Sequence, residues 1–573
     1  MSDEQWNQYA NPGSGGTGSG GRPDPGGRPN PGHPSPNPND DEYELTDEDK
    51  SAIDRLAMGI TQERVHTGAT SSGEDVNVQL TRMAEVLPAV PLVTEGESAV
   101  PDFASAFLDA RDPMVAPDGH TPDRIELRRL RVGFALAAII GAIPWSALTS
   151  LILPELLDLA DPVMRDVLLA TAIAVGAVVA WAGTAVFGEI SDVTRTPLGR
   201  RVPWVVGGGL LTAVIMLLAW ALGTGVGTGV GAGVGVGTGV GTGVGVGSGS
   251  LVMLVVLWCL AQGAYQMMLA PLLATIADRI PDKASVRVTA WYGRGVAVGQ
   301  TLGVVLGFAL IVLGVPDVIW PVSAAAFAII AIAIPLVWPR EPSSQPLPPR
   351  HVKLADAFRR YLPPKDAPGF VAVLWGRSLM MGGYNMVAIY LFFIAKHELA
   401  QTGWPGSPFG VPAAGGRQAS AVSAAFVVLV AGAITLLSSL VASFVDEPII
   451  AKIDSHKAST AFAGGLIALA VAMPWIIHGP VGVWLFALIG GFGYGIYNDI
   501  GQEMSIAVLP DPATAGRDLG ALNMANTLCL VIGAVFGAVV VVLSGGEYEA
   551  ISPLAVFVVV LATGLLARVP HVD

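Results

Sequence analysis

Long apolar runs constrain the fold of this chain more than any other feature of its sequence. A helix needs roughly 20 apolar residues to cross the hydrocarbon core of a bilayer. Because unpaired backbone groups are too costly in lipid, such runs are expected to form helices rather than open strands. Twelve runs qualify: 131–153, 165–188, 203–222, 251–275, 288–313, 317–338, 368–394, 419–444, 458–478, 481–509, 519–544 and 551–568. The sequence therefore predicts an all-α membrane protein with twelve transmembrane helices, surrounded by the lipid bilayer.

A long polar segment divides the twelve runs into two sets of six. It covers 339–367 and predicts an N-terminal six-helix bundle over 125–338 and a C-terminal bundle over 368–573. Charged residues make up 14% of the chain, against about 25% in soluble proteins. Within the cytoplasmic central loop 339–367, Lys353–Tyr361 has apolar residues at helical spacing beside two arginines, which predicts an amphipathic helix on the inner leaflet.

The distribution of loop cations predicts the orientation. Cytoplasmic loops of membrane proteins are enriched in Lys and Arg. With the N-terminus inside, the inner loops hold fifteen of these cations and the outer loops hold only Arg165, Lys396 and Arg417. We therefore expect a multi-pass protein of the cell membrane, plasma or inner, with both termini in the cytoplasm.

Two segments have a composition that does not favour a packed core. Residues 1–120 hold 21 Asp and Glu against 7 Lys and Arg, a difference of −14 that equals the net charge of the chain. They predict a disordered acidic cytoplasmic tail, with a partner-binding tail as the alternative. In the outside loop 223–250, every odd position from 223 to 249 is glycine. An expanded linker is expected there, and strand pairing between molecules is the alternative.

The loop between the second and third runs carries the most specific motif. It reads Gly-Glu-Ile-Ser-Asp-Val-Thr-Arg-Thr-Pro-Leu-Gly-Arg-Arg-Val-Pro over 188–203. This resembles the matching loop of the major facilitator superfamily, and within it the branch of glycoside–pentoside–hexuronide and sucrose symporters. The positions in register are Gly188, Ser191, Asp192, Thr194, Arg195, Gly199, Arg200, Arg201 and Pro203, while Val193 and Pro197 depart from the pattern.

The resemblance covers about 125–568 and implies the major facilitator fold, in which two six-helix bundles form a pseudo-repeat. A carboxylate such as Asp192 at the end of the second helix can meet guanidinium groups and the N-terminus of a neighbouring helix. The resemblance implies that this cluster latches the two halves in the outward-open state and breaks on inward opening. The predicted latch residues are Gly188, Ser191, Asp192, Arg195, Gly199, Arg200 and Arg201.

Ionisable residues inside membrane spans are costly and usually functional. The resemblance implies that the first, fourth, seventh and tenth helices line a cavity near the midplane. Counted along their helices, Arg377 and Asp499 both lie roughly 15 Å deep, so we expect them to face each other as an ion pair or proton relay. A static structural pair and other partners are the alternatives. Glu503 is expected to share the relay or to act as a water-exposed gate residue, and Arg294 to pair with Glu503 or Asp278.

Polar and aromatic side chains on the cavity-lining helices predict a site for a polar solute. Amides, hydroxyls and aromatic rings suit a sugar, although the same groups also hold helices together in membranes. The predicted substrate-binding residues are Trp145, Gln262, Tyr265, Gln266, Tyr384 and Asn385.

These features predict a secondary transporter that moves a sugar or related polar metabolite together with a coupling ion, H⁺ being favoured. Proton-driven export of an amphipathic compound and a transport-inactive sensor or scaffold are the alternatives. No motif for an enzyme, a nucleotide-driven pump, a metal site or a cofactor is found. The expected partners are therefore the bilayer, the solute and the ion, without nucleic acid, and the expected state is a monomer. Solute, ion and direction are left open.

Overall fold

The structure is a computed structural model, and it describes residues 121–223, 248–345, 367–402, 417–450, 456–508 and 515–569, together with residues 116, 358 and 364. Its long helices are α1 Arg124–Ala160, α2 Arg165–Val193, α3 Val202–Gly223, α4 Ser248–Arg279, α5 Asp282–Val312, α6 Ile319–Val337, α7a Pro368–Ile389, α7b Leu391–Thr402, α8 Arg417–Ile450, α9 His456–Ile476, α10 Pro480–Ala507, α11 Ala515–Leu543 and α12 Ile551–Leu566. In these ranges, eleven helices are long and apolar enough to cross a membrane, and α7a with α7b forms a twelfth span bent by 50°. The predicted all-α fold with twelve spans is confirmed.

The first helix is longer than its apolar run because polar residues extend it at both ends. At its start, Asp123 caps the helix and Glu126 closes a capping box, which satisfies backbone N–H groups that have no partner within the helix. Pro144 lies inside the helix, and a π-helical turn follows at Leu148–Ile152. Proline removes one backbone donor, and single π-helical turns often mark functional sites. α1 then continues to Ala160.

The helices pack in the same order in both halves. In the first half, α1 packs against α5 and α6, α3 against α4 and α6, and α2 against α4. In the second half, α7a packs against α11 and α12, α9 against α10 and α12, and α8 against α10. Every pairing of the first half recurs six helices later. This is the two-bundle pseudo-repeat that the resemblance implies.

The two halves meet along two helix pairs. α2 packs against α11, and α5 packs against α8. Moving each helix six positions along the repeat turns the α2–α11 pair into the α8–α5 pair. The interface therefore has the same symmetry as the repeat. The interface between the halves is therefore bordered by α2 and α11 on one side and by α5 and α8 on the other.

Glycines on α5 allow a close backbone approach to α1 in the N-terminal half. A Cβ added to Gly295, Gly299 or Gly303 would lie 2.7, 2.5 or 2.3 Å from a backbone oxygen of α1. Small residues at such spacing let membrane helices pack backbone to backbone. The α1–α5 contact therefore excludes larger side chains at these positions.

Three predictions concern residues outside the described ranges. They are the tail 1–120 apart from Ala116, the glycine run from 224 to 247, and the amphipathic helix Lys353–Tyr361 apart from Phe358.

Candidate functional site

The α2–α3 loop forms an ionic cluster at one end of the N-terminal bundle, which we call the motif face. An Arg201 Nη atom pairs with Asp192 Oδ1, and Arg201 Nε lies 2.7 Å from Asp278 Oδ2 at the end of α4. Arg200 pairs with the other oxygen of Asp278 at 2.7 Å. Arg201 also donates to the Ser191 hydroxyl. The motif therefore ties the ends of α2, α3 and α4 together.

Arg201 is the buried centre of this cluster, with 5% of its side chain exposed. Burial acts to lower the pKa of its guanidinium, but the carboxylates of Asp278 and Asp192 outweigh burial and raise the pKa above its ordinary value. Arg201 therefore remains charged at physiological pH, and its two partners are held by charge as well as by hydrogen bonds.

A carboxylate that the sequence reading missed occupies the N-terminus of α3. Glu341, which follows α6, accepts backbone hydrogen bonds from Arg200 at 3.0 Å, from Arg201 at 3.2 Å and from Val202 at 3.2 Å. We expected Asp192 to meet both the guanidinium groups and this helix terminus. In the structure, Asp192 pairs with Arg201 and Glu341 takes the terminus, because the chain after α6 returns to the motif face.

Gly199 has a steric reason to be glycine. Its φ is +90°, a value that L side chains disfavour. A Cβ at this position would also lie 2.2 Å from the Glu341 carboxyl carbon. Gly188, at the start of the motif, has no heavy atom within 4 Å of such a Cβ. The structure therefore requires glycine at position 199, whereas position 188 has room for a side chain.

The described contacts of the motif lie within the N-terminal half and the segment that follows it. Arg195 donates to the Gln345 backbone oxygen, and the Ser344 hydroxyl accepts from the Thr196 amide at 2.9 Å. No described contact of the cluster reaches the C-terminal bundle. A latch between the halves therefore stays a prediction for another conformation.

The two halves are joined instead at the opposite end of the bundle, which we call the opposite face. Lys396 of α7b places its Nζ 2.6 Å from Asp158 Oδ2 and 3.4 Å from Glu155 Oε2, both at the end of α1. Asp158 also pairs with Arg165 at the start of α2. Lys396 therefore links the C-terminal half to two carboxylates of the N-terminal half.

A tyrosine provides the second link at this face. The Tyr548 hydroxyl, just before α12, donates to Asp166 Oδ1 at 2.7 Å and accepts from Arg165 Nε at 3.1 Å. The Arg165 guanidinium also lies over the Phe393 ring, 5.0 Å from its centroid. Aromatic rings attract such a cation in addition to its ion pairs.

We call these six residues the opposite-face network: Glu155, Asp158, Arg165, Asp166, Lys396 and Tyr548. Its carboxylates are nearly inaccessible, with Glu155 4%, Asp158 8% and Asp166 7% exposed. Buried charges are stable only when paired, so separating the halves here would break several charged contacts together. In the described conformation, the network links the two halves at the opposite face.

The sequence contained partial signals for this network. Glu155 and Asp158 lie three residues apart, as neighbours on one helix face do. Arg165 and Lys396 were counted only as outer-loop cations. Sequence spacing cannot show that α7b brings Lys396 onto the end of α1, because 238 residues separate Lys396 from Asp158.

Of the proposed pair of Arg377 and Asp499, the structure describes only the arginine side chain. Arg377 of α7a is half-buried, and its guanidinium is 3.5 Å from the Ser505 hydroxyl of α10. Arg377 therefore contacts the helix that carries Asp499 and Glu503. The side chains of Asp499 and Glu503 lie outside the described residues. The ion pair or relay stays a prediction.

Arg294 is exposed and lies over Trp291, with 5.8 Å between the guanidinium carbon and the ring centroid. Asp278, one of its expected partners, pairs with the two arginines of the motif. The side chain of Glu503, the other expected partner, is outside the described residues.

The aromatic residues expected to bind solute pack inside the bundles in a repeated arrangement. Trp145 of α1 meets Trp258 and Tyr265 of α4 at centroid distances of 4.9 and 5.0 Å. Tyr384 of α7a stacks on Phe486 of α10 at 5.0 Å. Since α1 and α4 correspond to α7 and α10 in the repeat, each half joins its two predicted cavity helices through aromatic rings.

The amide residues take different positions. Gln266 faces α2, where the Thr184 hydroxyl contacts its Oε1 at 3.1 Å. Gln262 is buried on the same side of α4, near Gly176 of α2. Asn385 donates to the Met381 backbone oxygen and contacts Cys529 of α11 at 3.5 Å. The structure thus separates the two glutamines from Tyr265, which packs toward α1.

Five buried polar atoms of the predicted substrate-binding residues and of residues beside them have no hydrogen-bond partner among the described residues. They are Trp145 Nε1, Trp258 Nε1, Gln266 Nε2, Gln300 Oε1 and Tyr384 Oη. Unpaired buried polar groups are rare and call for an explanation. They occur in both halves, on or beside the helices expected to line the cavity.

Comparisons with known proteins agree with this architecture. The family model of the Major Facilitator Superfamily matches residues 230–534. The architecture of two six-helix halves joined by symmetric helix pairs is that of the secondary transporters of this family. The chain belongs to the Major Facilitator Superfamily. No curated protein sequence matches it.

Solved structures share the fold at low sequence identity. The nucleoside transporter NupG is 14% identical, with 77% of this chain and 99% of that chain covered and a TM-score of 0.54. A bacterial homologue of the human lysosomal transporter Spinster, inward-facing and unoccupied, is 12% identical over 78% and 98%, with a TM-score of 0.51. The human organic anion transporter MFSD10 is 15% identical over 77% and 99%, with a TM-score of 0.50.

Proposed function

We propose that this protein carries a small polar solute across the cell membrane by alternating access, with protons as the coupling ion. The motif face is assigned to the cytoplasm and both termini to the same side, in agreement with the excess of cations in those loops. The solute is a sugar or a related polar metabolite, as the likeness of the 188–203 loop to the sugar-symporter branch suggests.

One observation carries this proposal. The opposite-face network connects the halves through Lys396 and Tyr548, whereas the motif cluster has its described contacts on one side of the interface. A transporter that exposes its site to one side at a time needs separate contacts between its halves at each face. The described conformation supports a state closed to the outside.

Buried unpaired groups support a polar solute. Indole, amide and hydroxyl groups in both halves have unused hydrogen-bonding capacity, and a solute with several hydroxyls supplies matching donors and acceptors. Structural neighbours include transporters of nucleosides and of organic anions. Nucleosides contain a sugar ring, and Arg377 would favour an anionic solute such as a sugar acid.

The test is uptake in proteoliposomes with an imposed proton gradient. The panel contains pentoses, hexoses, disaccharides, sugar acids, nucleosides and organic anions, and each solute is also tested with the gradient collapsed by a protonophore. We expect accumulation of one class, together with alkalinisation outside the vesicles. The variant Lys396→Met, which lacks the described link between the halves, is measured in parallel with the wild type.

Other outcomes would identify the alternatives. Gradient-driven movement of an amphipathic compound toward the acidic side would indicate an exporter. A complete absence of flux and of solute binding across the panel, in protein shown to be folded, would favour a sensor or scaffold.

A further inference from the structure

Beside the opposite-face network lies a second cluster of ionisable residues, contributed by the C-terminal half alone. Glu398 lies on α7b, His478 in the turn between α9 and α10, and Glu549 in the turn before α12. One ligand atom from each of the three lies within 4.8 Å of the others. Three chain segments thus present a nitrogen and two carboxylate oxygens to a common point.

We propose that Glu398, His478 and Glu549 form a binding site for a divalent cation of the zinc class. Imidazole together with carboxylates is a donor set that suits zinc. This site is distinct from the proposed solute path and adds a function to the proposed one.

The spacing of the ligand atoms is close to what such an ion requires. His478 Nδ1 is 3.8 Å from Glu398 Oε2 and 4.0 Å from Glu549 Oε1. Metal–ligand bonds of 2.0–2.2 Å in a tetrahedron separate ligand atoms by about 3.4 Å. The two carboxylate oxygens lie within 4.8 Å of each other, so rotations of the side chains would bring all three atoms to this separation. The His478 side chain is 49% exposed, so its ring has room to make them.

The two carboxylates are held as metal-ligating carboxylates usually are. Glu398 is 2% exposed, and its Oε2 accepts from the Gly479 backbone N–H at 2.6 Å. Glu549 Oε1 accepts from the Gln401 amide at 3.1 Å. Hydrogen bonds of this kind orient ligands around metals.

The carboxylates of this cluster lack a strong cation. Within the described part of the chain, Glu398, Glu549 and the nearby Glu547 make no ion pair with Lys or Arg, and the basic side chains beside them are the imidazoles of His397 and His478. A buried carboxylate such as that of Glu398 is costly without a compensating positive charge. A divalent cation would supply this charge.

The position of the cluster gives the ion a structural effect. Glu398 follows Lys396 by two residues, and Glu549 follows Tyr548 directly. Both Lys396 and Tyr548 are the C-terminal partners in the opposite-face network. An ion bound to the cluster would tie α7b to the turn before α12 and so hold the C-terminal side of the network in place.

Isothermal titration calorimetry of the purified full chain with ZnCl₂ tests the site without requiring transport. We expect His478→Ala and Glu549→Gln each to weaken the zinc-binding step at least tenfold. His456→Ala is the matched control, because His456 begins α9 at the motif face, at the other end from His478. The control should bind zinc as the wild type does, and the remaining histidines are common to all four proteins.

Equal zinc affinity in His478→Ala and wild type would overturn the site, as would an equal loss in His456→Ala. Hydrogen–deuterium exchange provides a second measurement. Zinc should slow exchange in α7b and in the turn before α12 of the wild type, and not in His478→Ala. Unchanged exchange there while zinc binds would place the ion elsewhere. Neither result depends on the identity of the solute.

Discussion

At the scale of single residues, the motif of the α2–α3 loop is explained by a few contacts. Arg201 needs a planar fork because it meets Asp192, Asp278 and the Ser191 hydroxyl from different sides, and guanidinium provides several donors in a fixed geometry. Gly199 needs the absence of a Cβ because the Glu341 carboxyl group occupies that space. The motif is therefore a packing arrangement as well as a charge pattern.

Gly199→Ala should destabilise the protein. Alanine at φ +90° costs about 1–2 kcal/mol, and its Cβ would displace Glu341 from the N-terminus of α3. We expect the free energy of unfolding in detergent to fall by at least this amount. Gly188→Ala is the control, since an added Cβ there has open space. Equal stability of the two variants would contradict the assignment of Glu341 as the cap.

Asp499→Asn should abolish proton-driven uptake while the protein still inserts and folds. An amide cannot take up and release a proton as a carboxylate does. Uptake with and without a proton gradient measures the effect. Asp317→Asn, at the opposite face outside the long helices, is the control. Normal accumulation by Asp499→Asn would remove this residue from the coupling mechanism.

At the scale of helices, packing is controlled by where glycine allows backbones to touch. Gly295, Gly299 and Gly303 lie four residues apart on α5, and each faces a backbone oxygen of α1. The four-residue spacing of these glycines does not show which helix they contact, because apolar length identifies a helix without identifying its neighbour.

Gly303→Ala should destabilise the α1–α5 pair. Its Cβ would lie 2.3 Å from the Ile143 backbone oxygen, and such overpacking typically costs about 1–3 kcal/mol. Gly465→Ala on α9 gains the same helix propensity in open space. Thermal unfolding should therefore separate the two variants, with Gly303→Ala less stable than wild type. A stability of Gly303→Ala at or above that of Gly465→Ala would show that α1 and α5 do not pack this closely.

At the scale of the whole molecule, the two halves are related by a shift of six helices and are held together unequally at their ends. The opposite-face network joins them through charged contacts, and the described motif contacts remain on one side. Lys396, which the sequence alone marks only as an outer-loop cation, is one of the residues that make these contacts.

Lys396→Met should loosen the opposite face. It leaves Asp158 and Glu155 without the lysine that approaches to 2.6 and 3.4 Å, and removing one partner of a buried pair typically costs about 3–5 kcal/mol. Hydrogen–deuterium exchange should rise in segments 153–166 and 391–402, and remain unchanged around the motif at 191–204. Arg568→Met, an exposed cation after α12, is the control. Unaltered exchange at both segments would mean that the network does not hold the halves together.

The sequence by itself determined the helical class, the number of spans and the six-and-six division. Lipid allows few solutions to a long apolar run, so length and composition are sufficient. It also identified the motif whose Arg200 and Arg201 lie in one ionic cluster.

Only the tertiary structure decided which distant residues meet. Glu341 reaches α3 because the chain returns after α6, and Lys396 reaches Asp158 because α7 bends and carries it over the end of α1. Trp145 and Tyr384 pack within their bundles because Trp258 of α4 and Phe486 of α10 contact their rings. Such pairings depend on helix rotation and on the path of the chain, which the spacing of residues along one helix does not encode.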